Sequence, residues 1–159
     1  MTFIIREAQK EDMPSVLKLI TELAVFEREP EAVVVTVEDL VNYGFKKEPA
    51  FFTFVAEEAG TIVGMALFYY RFSTWKGVTI HLEDLIVTQS HRGSGIGKAL
   101  YDKVLEVAHM KGLKRVEWAV LNWNTTAIKF YESTGAVIQK DWRVCQMTDA
   151  GLKKYLESK

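Results

Sequence analysis

The sequence contains a single cysteine, Cys145, so an intramolecular disulfide is impossible. A lone cysteine inside an apolar run reads as a core residue rather than a nucleophile. Charge of one sign is also missing. The 20 basic and 21 acidic residues leave a formal net charge of −1, which removes the electrostatic footprint of a nucleic-acid-binding surface. No apolar run approaches a membrane span. The N-terminus, Met1-Thr2-Phe3-Ile4-Ile5-Arg6-Glu7, turns charged after three apolar residues, without a signal-peptide core. The expectation is a cytoplasmic protein with no nucleic-acid and no membrane partner. Repeats, low-complexity tracts and Pro/Gly/Ser-rich linkers are absent as well. The three histidines, His81, His91 and His109, have no metal-ligand spacing, so no metal is assigned.

What remains is an ordinary globular composition, 48% hydrophobic and 26% charged over 159 residues. That length supports one core, and a single domain over residues 1–159 is expected. Phe3 to Arg6 reads as a short strand. Asp12-Met13-Pro14 opens a helix, with proline tolerated in its first turn. Val16, Leu17, Leu19, Ile20, Leu23 and Phe26 continue it at helical spacing. Thr36 and Glu38-Asp39 start a second short helix that Gly44 ends. Phe51 to Glu57, Thr61 to Tyr70 and Thr79 to Val87 are rich in β-branched and aromatic residues and read as an antiparallel meander. Gly95 to Met110 is an amphipathic helix and Arg115 to Leu121 another strand. Thr125 to Glu132 is a short helix, and Ala136 to Met147 a late strand with a break near Lys140-Asp141-Trp142. A charged helical tail follows. Strands and helices mix around one sheet, so the class is α/β or α+β.

The most informative stretch runs from Leu85 through Lys98: a strand, a glycine-rich turn, and the start of a helix. Glycine lets the backbone approach a ligand and reach conformations that other residues avoid. The unpaired amides at a helix start, with the helix dipole, favour a pyrophosphate. Arg92 and Lys98 add positive charge. A Walker A loop is excluded, because Ala99 stands where Ser or Thr is needed after Gly97-Lys98. A dinucleotide fingerprint is excluded too, because Lys98 stands where it needs glycine.

Arg92-Gly93-Ser94-Gly95-Ile96-Gly97 matches the (Gln/Arg)-x-x-Gly-x-(Gly/Ala) signature of the GNAT acetyltransferases, and the chain resembles that family. The likeness extends to Leu82-Glu83-Asp84-Leu85-Ile86-Val87, Trp123-Asn124, Phe130-Tyr131, Gly135-Ala136, Glu22-Leu23-Ala24, Phe26-Glu27, Trp75 and Trp142. It covers nearly the full length and is strongest to the spermidine/spermine and thialysine branch. The resemblance implies a mixed, mostly antiparallel sheet with a splayed central parallel strand pair, flanked by helices. It implies acetyl-CoA as cosubstrate, without metal. The pantetheine arm would lie along Leu85, Ile86 and Val87. The pyrophosphate would lie on the turn formed by Arg92, Gly93, Ser94, Gly95, Ile96, Gly97 and Lys98. Asn124, Thr125, Thr126 and Ala127 would flank the pantetheine. The resemblance also implies a homodimer, with the segment from Ala136 to Met147 joining the partner.

On pattern alone Tyr131 is a core aromatic. The resemblance makes it the general acid for the departing thiolate, near the thioester sulfur. It makes Glu83 the group that binds and deprotonates the amine, directly or through water. Such a group is needed. With a pKa near 10.4, an alkyl ammonium is neutral in only about 4 of 10,000 molecules at pH 7, a cost of roughly 4.6 kcal/mol. Adjacent strand residues face opposite sides, so Glu83 and Asp84 are expected on opposite faces of the sheet. Phe26-Glu27-Arg28-Glu29-Pro30-Glu31 is the expected substrate loop, its alternating acids attracting a cation. The resemblance places substrate contacts at Phe26, Glu27, Trp75, Glu83, Asp84 and Trp142, the tryptophans by cation–π contact. Lys140 stands near a position where the polyamine enzymes carry an acid, a departure that disfavours spermine and leaves a short diamine or thialysine-like amine. A protein lysine or N-terminus as acceptor, or a non-catalytic acyl-CoA-binding module, stays open.

Overall fold

The computed structural model describes residues 2–158. The chain divides into two compact units, Met1–Ala119 and Val120–Lys159. The first holds a five-stranded sheet: β1 (Phe3–Glu7), β2 (Phe52–Glu58), β3 (Thr61–Ser73), β4 (Gly77–Val87) and β5 (Val116–Glu117) in the order β1-β2-β3-β4-β5. The first four strands pair antiparallel and β4 pairs β5 parallel. This is the mixed sheet expected from the sequence.

One face of the sheet carries α1 (Met13–Phe26) and α2 (Val37–Gly44). Met13, Val16 and Leu19 of α1 and Leu40 of α2 pack with Val55, Met65 and Ile86 in a buried cluster. The start of α2 is set by a capping box. The Thr36 hydroxyl accepts from the Asp39 N–H at 3.1 Å, and the Asp39 carboxylate accepts from the Thr36 N–H at 2.9 Å. Arg6 ties β1 to its surroundings by donating to Glu57 at 2.7 Å and to Asp12 at 2.6 Å.

The other face carries α3 (Ile96–Met110), which buries Ile96, Leu100, Tyr101, Val104 and Ala108. Its approach depends on Gly64 in β3. A Cβ at residue 64 would stand 2.9 Å from the Ile86 carbonyl oxygen, 3.2 Å from Leu100 and 3.3 Å from Ile96.

Two irregularities shape β4. Its register against β3 runs Phe68↔Leu82 and then Leu67↔Asp84, so Glu83 is the extra residue of a β-bulge. Its parallel pairing with β5 covers only Ile80↔Val116 and His81↔Glu117. From Leu82 to Val87 the strand has no β5 partner. The expected strand from Arg115 to Leu121 is thus cut to two residues. A bulge bends its strand and sharpens its twist, and this one begins two residues beyond the last β4–β5 pair.

In the second unit, α4 spans Thr125–Ser133 and α5 spans Asp149–Glu157. The expected late strand over Ala136–Met147 is not formed among the described residues; the segment has no ladder partner there. Val137, Val144 and Met147 are exposed. Cys145 is exposed as well, which corrects its assignment to the core: the apolar run containing it packs nothing over it.

Gly64→Ala should destabilise the fold by about 1–3 kcal/mol, because the new methyl meets backbone rather than a yielding side chain. Urea denaturation of the variant beside wild type measures this.

Candidate active site

Bulging at Glu83 decides where the acids go. In β3, Met65, Leu67 and Tyr69 share the face that α1 covers, and Asp84 and His81 are the cross-strand partners of Leu67 and Tyr69. Glu83 accepts from the Tyr69 hydroxyl at 3.1 Å, and its Oε2 lies 3.4 Å from His81 Nε2. Glu83 and Asp84 therefore face the same side of the sheet. Strict alternation placed them on opposite sides, and the extra residue cancels that alternation locally.

Both carboxylates line a cleft of about 320 Å³ against α1 and the segment that follows it. Its apolar wall includes Ile20, Leu23 and Val33 to Val35, and its third acid is Glu27, just past the end of α1. Burial pushes the Asp84 carboxyl up to about 6, helped by the negative charges of Glu83 and Glu27. Burial also raises Glu27. Three acids in one half-apolar cleft repel one another, so a bound cation relieves all three.

Beyond the bulge, the unpaired edge of β4 runs through Leu85, Ile86 and Val87 into the glycine turn. Gly93 and Gly95 have φ of +79° and +87°, a region that side chains disfavour, and open space lies where each Cβ would be. The first intrahelical bond of α3 is Ala99 N–H to Gly95 O at 3.0 Å. The amides of Ile96, Gly97 and Lys98 precede it, as at any helix start. Open space, positive-φ glycines and helix-start amides together fit a pyrophosphate.

Several charged groups here hold the turn in place. Arg92 Nε donates to Val87 O at 2.9 Å, and its guanidinium lies 5.2 Å from the centre of the Phe26 ring. Glu22 of α1 accepts from the Thr88 hydroxyl at 2.8 Å and from the Gln89 N–H at 2.9 Å, and lies 3.9 Å from Arg92. His91 Nε2 lies 3.1 Å from the Glu58 carboxylate. Lys98 pairs with Asp102 one helical turn on. The Ile96 side chain is buried in the core.

Phe26 does not line the acidic cleft, and Trp75, 75% exposed, sits in the β3–β4 turn away from it. In the second unit, Asn124 caps α4 by accepting from the Ala127 N–H at 3.2 Å, with Thr125, Thr126 and Ala127 in the first helical turn. Tyr131 is buried in α4, its ring 5.3 Å from that of Phe130, and Trp142 is exposed. Sequence reasoning missed Tyr69, the partner of Glu83 on β3, and Glu22 as the clamp of the turn. Alternation along β3 would have found Tyr69, once the register was known.

The sequence profile of the acetyltransferase (GNAT) family matches residues 6–136. The chain belongs to the GNAT acetyltransferase family. This N-acetyltransferase is 40% identical over 145 residues to a thialysine N-epsilon-acetyltransferase of Bos taurus, covering 86% of this chain and 85% of that one. It is 34% identical over 142 residues to the spermidine/spermine N(1)-acetyltransferase-like protein 1 of Homo sapiens, covering 85% of this chain and 20% of that protein. Among solved structures, an integron cassette protein from V. cholerae superposes with a TM-score of 0.80 at 26% identity, covering 99% of both chains. Acetyl-CoA is the donor that the family uses, and the glycine turn of this acetyltransferase suits it. Among the described residues, no group of His, Cys, Asp and Glu is placed to hold a metal, and no helix is long and apolar enough to cross a membrane.

Because Asp84 keeps its proton up to about pH 6 in the fold, against 3.8 ordinarily, the folded state binds the proton more tightly than the unfolded chain. Stability is then full below pH 3.8 and falls as the pH rises through 6. Asp84→Asn should therefore be more stable than wild type at pH 7.5, by about 1–3 kcal/mol. The difference should close near pH 4. Urea denaturation at the two pH values checks both.

Proposed function

We propose that this acetyltransferase transfers the acetyl group of acetyl-CoA to the primary amine of a small molecule carrying a second cation, a thialysine-like amino acid or a short diamine. The observation that carries this reading is the meeting of Glu27, Glu83 and Asp84 in one cleft of about 320 Å³. That volume suits a small molecule. One acid handles the reacting ammonium and another holds the distal cation. The thialysine and spermidine/spermine relatives agree with a substrate of this class.

In this reading Glu83 takes a proton from the ammonium and the freed amine attacks the thioester carbonyl directly, in a ternary complex. As the adduct collapses and the C–S bond breaks, Tyr131 gives a proton to the departing thiolate and the adduct nitrogen gives up its second proton, which restores the tyrosine; this role of Tyr131 rests on the family resemblance. The pyrophosphate lies on the turn from Arg92 to Lys98. A homodimer is part of the same reading. The support is the exposed apolar run from Ala136 to Met147, which has no ladder partner within the described chain. A monomer mass by light scattering would withdraw it.

The acceptor is tested by kcat/KM for a diamine, a monoamine of equal length, thialysine and spermine, at low and moderate salt. The diamine and thialysine should exceed the monoamine, and the advantage should shrink with salt to the extent that it comes from exposed charge. A monoamine as good as the diamine, or acetylation of a protein lysine alone, sinks the two-cation cleft.

Gly95→Ala tests the turn. Its φ of +87° is a region that side chains disfavour, and the added Cβ would stand in the open space that the pyrophosphate takes in this reading. The core should stay folded while CoA affinity falls. Unchanged affinity by calorimetry would move the phosphate site elsewhere.

A further inference from the structure

Glu83 is held from one side by a line of groups on β3 and β4 to which no role has yet been given. Tyr69 donates its hydroxyl to Glu83 Oε2 at 3.1 Å, and His81 Nε2 lies 3.4 Å from the same oxygen. The Tyr69 and His81 rings are cross-strand partners with centroids 5.2 Å apart. On the far side of the imidazole, Arg71 Nη1 lies 3.2 Å from His81 Nδ1. The order is Arg71, His81, Glu83, with Tyr69 as the second donor to the carboxylate.

A guanidinium donates and never accepts. For Arg71 to bond Nδ1, that nitrogen must carry its lone pair. The ring proton is then on Nε2, the nitrogen facing Glu83. Arg71 thus selects one tautomer of His81, and that tautomer carries its N–H on the nitrogen 3.4 Å from the carboxylate oxygen. The Tyr69 hydrogen bond and the His81 N–H contact both fall on Oε2, which leaves the lone pairs of Oε1 for another proton. Nearby charge has the opposite sign: Asp84 on the same strand and Glu27 from α1 share the cleft with Glu83. Without a donor on Oε2, repulsion from these two acids would turn the half-exposed Glu83 carboxylate outward.

We infer that Arg71 and His81 are positioning residues for Glu83: Arg71 fixes His81 as the Nε2–H tautomer, and His81 with Tyr69 pins Oε2 so that Oε1 receives the proton of the substrate ammonium. This rests on the reading of Glu83 as the proton acceptor. The ammonium N–H bond breaks, an O–H bond forms at Oε1, and the proton then leaves the half-exposed carboxyl for water. His81 is not a carrier in this step, because Arg71 occupies the nitrogen through which a proton would leave.

The test combines single-turnover rates at saturating acetyl-CoA and amine with nitrogen NMR of the imidazoles in the whole enzyme. Wild-type His81 should show a protonated Nε2 and an unprotonated Nδ1, and Arg71→Met should lose that preference. His81→Ala should slow acetyl transfer about tenfold, the effect of losing one polar contact that positions a charged group, with no change in KM for acetyl-CoA. His81→Gln should restore most of the rate, since its amide can place an N–H near Nε2. In the double variant Glu83→Gln/His81→Ala, the rate should equal that of Glu83→Gln alone, because His81 acts only through Glu83. A protonated Nδ1 in wild type, additive losses in the double variant, or no rescue by glutamine would overturn the positioning role while leaving Glu83 as the acceptor. A wild-type rate in Glu83→Gln would instead remove the acceptor reading itself. The NMR result would still report whether Arg71 sets the tautomer.

Discussion

One extra residue in β4 governs the arrangement of the acidic cleft. Without the bulge at Glu83, strand alternation would send Glu83 and Asp84 to opposite faces, one under α1 and the other toward α3. With it, both enter the same cleft, and β4 bends where its pairing with β5 stops. A single irregularity thus gathers the acids and accompanies the opening of the β4 edge that leads to the glycine turn. Bulges concentrate beside active sites because they re-aim side chains without changing the rest of the sheet.

Helix α1 supplies the counterpart. Its inward face, Met13, Val16 and Leu19, fixes it to the sheet. Its last two turns then serve two places at once. Leu23 and Ala24 wall the acidic cleft, with Glu27 following the helix end. Glu22 holds Thr88 and Gln89 at the mouth of the turn, and Phe26 backs Arg92. A shift of α1 would disturb the cleft and the turn together. Precise placement on a packed helix is worth more here than on a loop, since the reacting groups must meet within a fraction of an ångström.

Much of this was legible in the sequence for identifiable reasons. The long helices announced themselves through apolar spacing, the meander through β-branched and aromatic residues, and the turn through Gly93, Gly95 and Gly97. The bulge was not legible. No glycine or proline marks it, and it is visible only as a slip between Leu67 and Phe68 in the pairing with β3. The same blindness hid Tyr69, whose nearness to Glu83 depends on that register, whereas His81 stands two residues before Glu83 on the same strand. The strand expected from Arg115 to Leu121 shrank because pairing depends on a neighbour's path, and composition is silent on that. The segment from Ala136 to Met147 has the composition of a strand but no ladder partner among the described residues, and a strand is defined by its partner.

The cleft also shows where stability has been given up. Asp84 could be replaced by an uncharged side chain of the same shape, with less repulsion toward Glu83 and Glu27. Its raised proton affinity measures the cost of keeping it. A strained cluster of like charges at a packed site is expected where function requires it. A cation entering the cleft reverses the balance. It draws the Asp84 proton affinity down and removes the mutual repulsion. Under the proposed function, selectivity for a second positive charge would need no pocket shaped closely to one molecule. It would follow from neutralisation of the acids, which is greatest for a substrate that brings a charge for more than one of them.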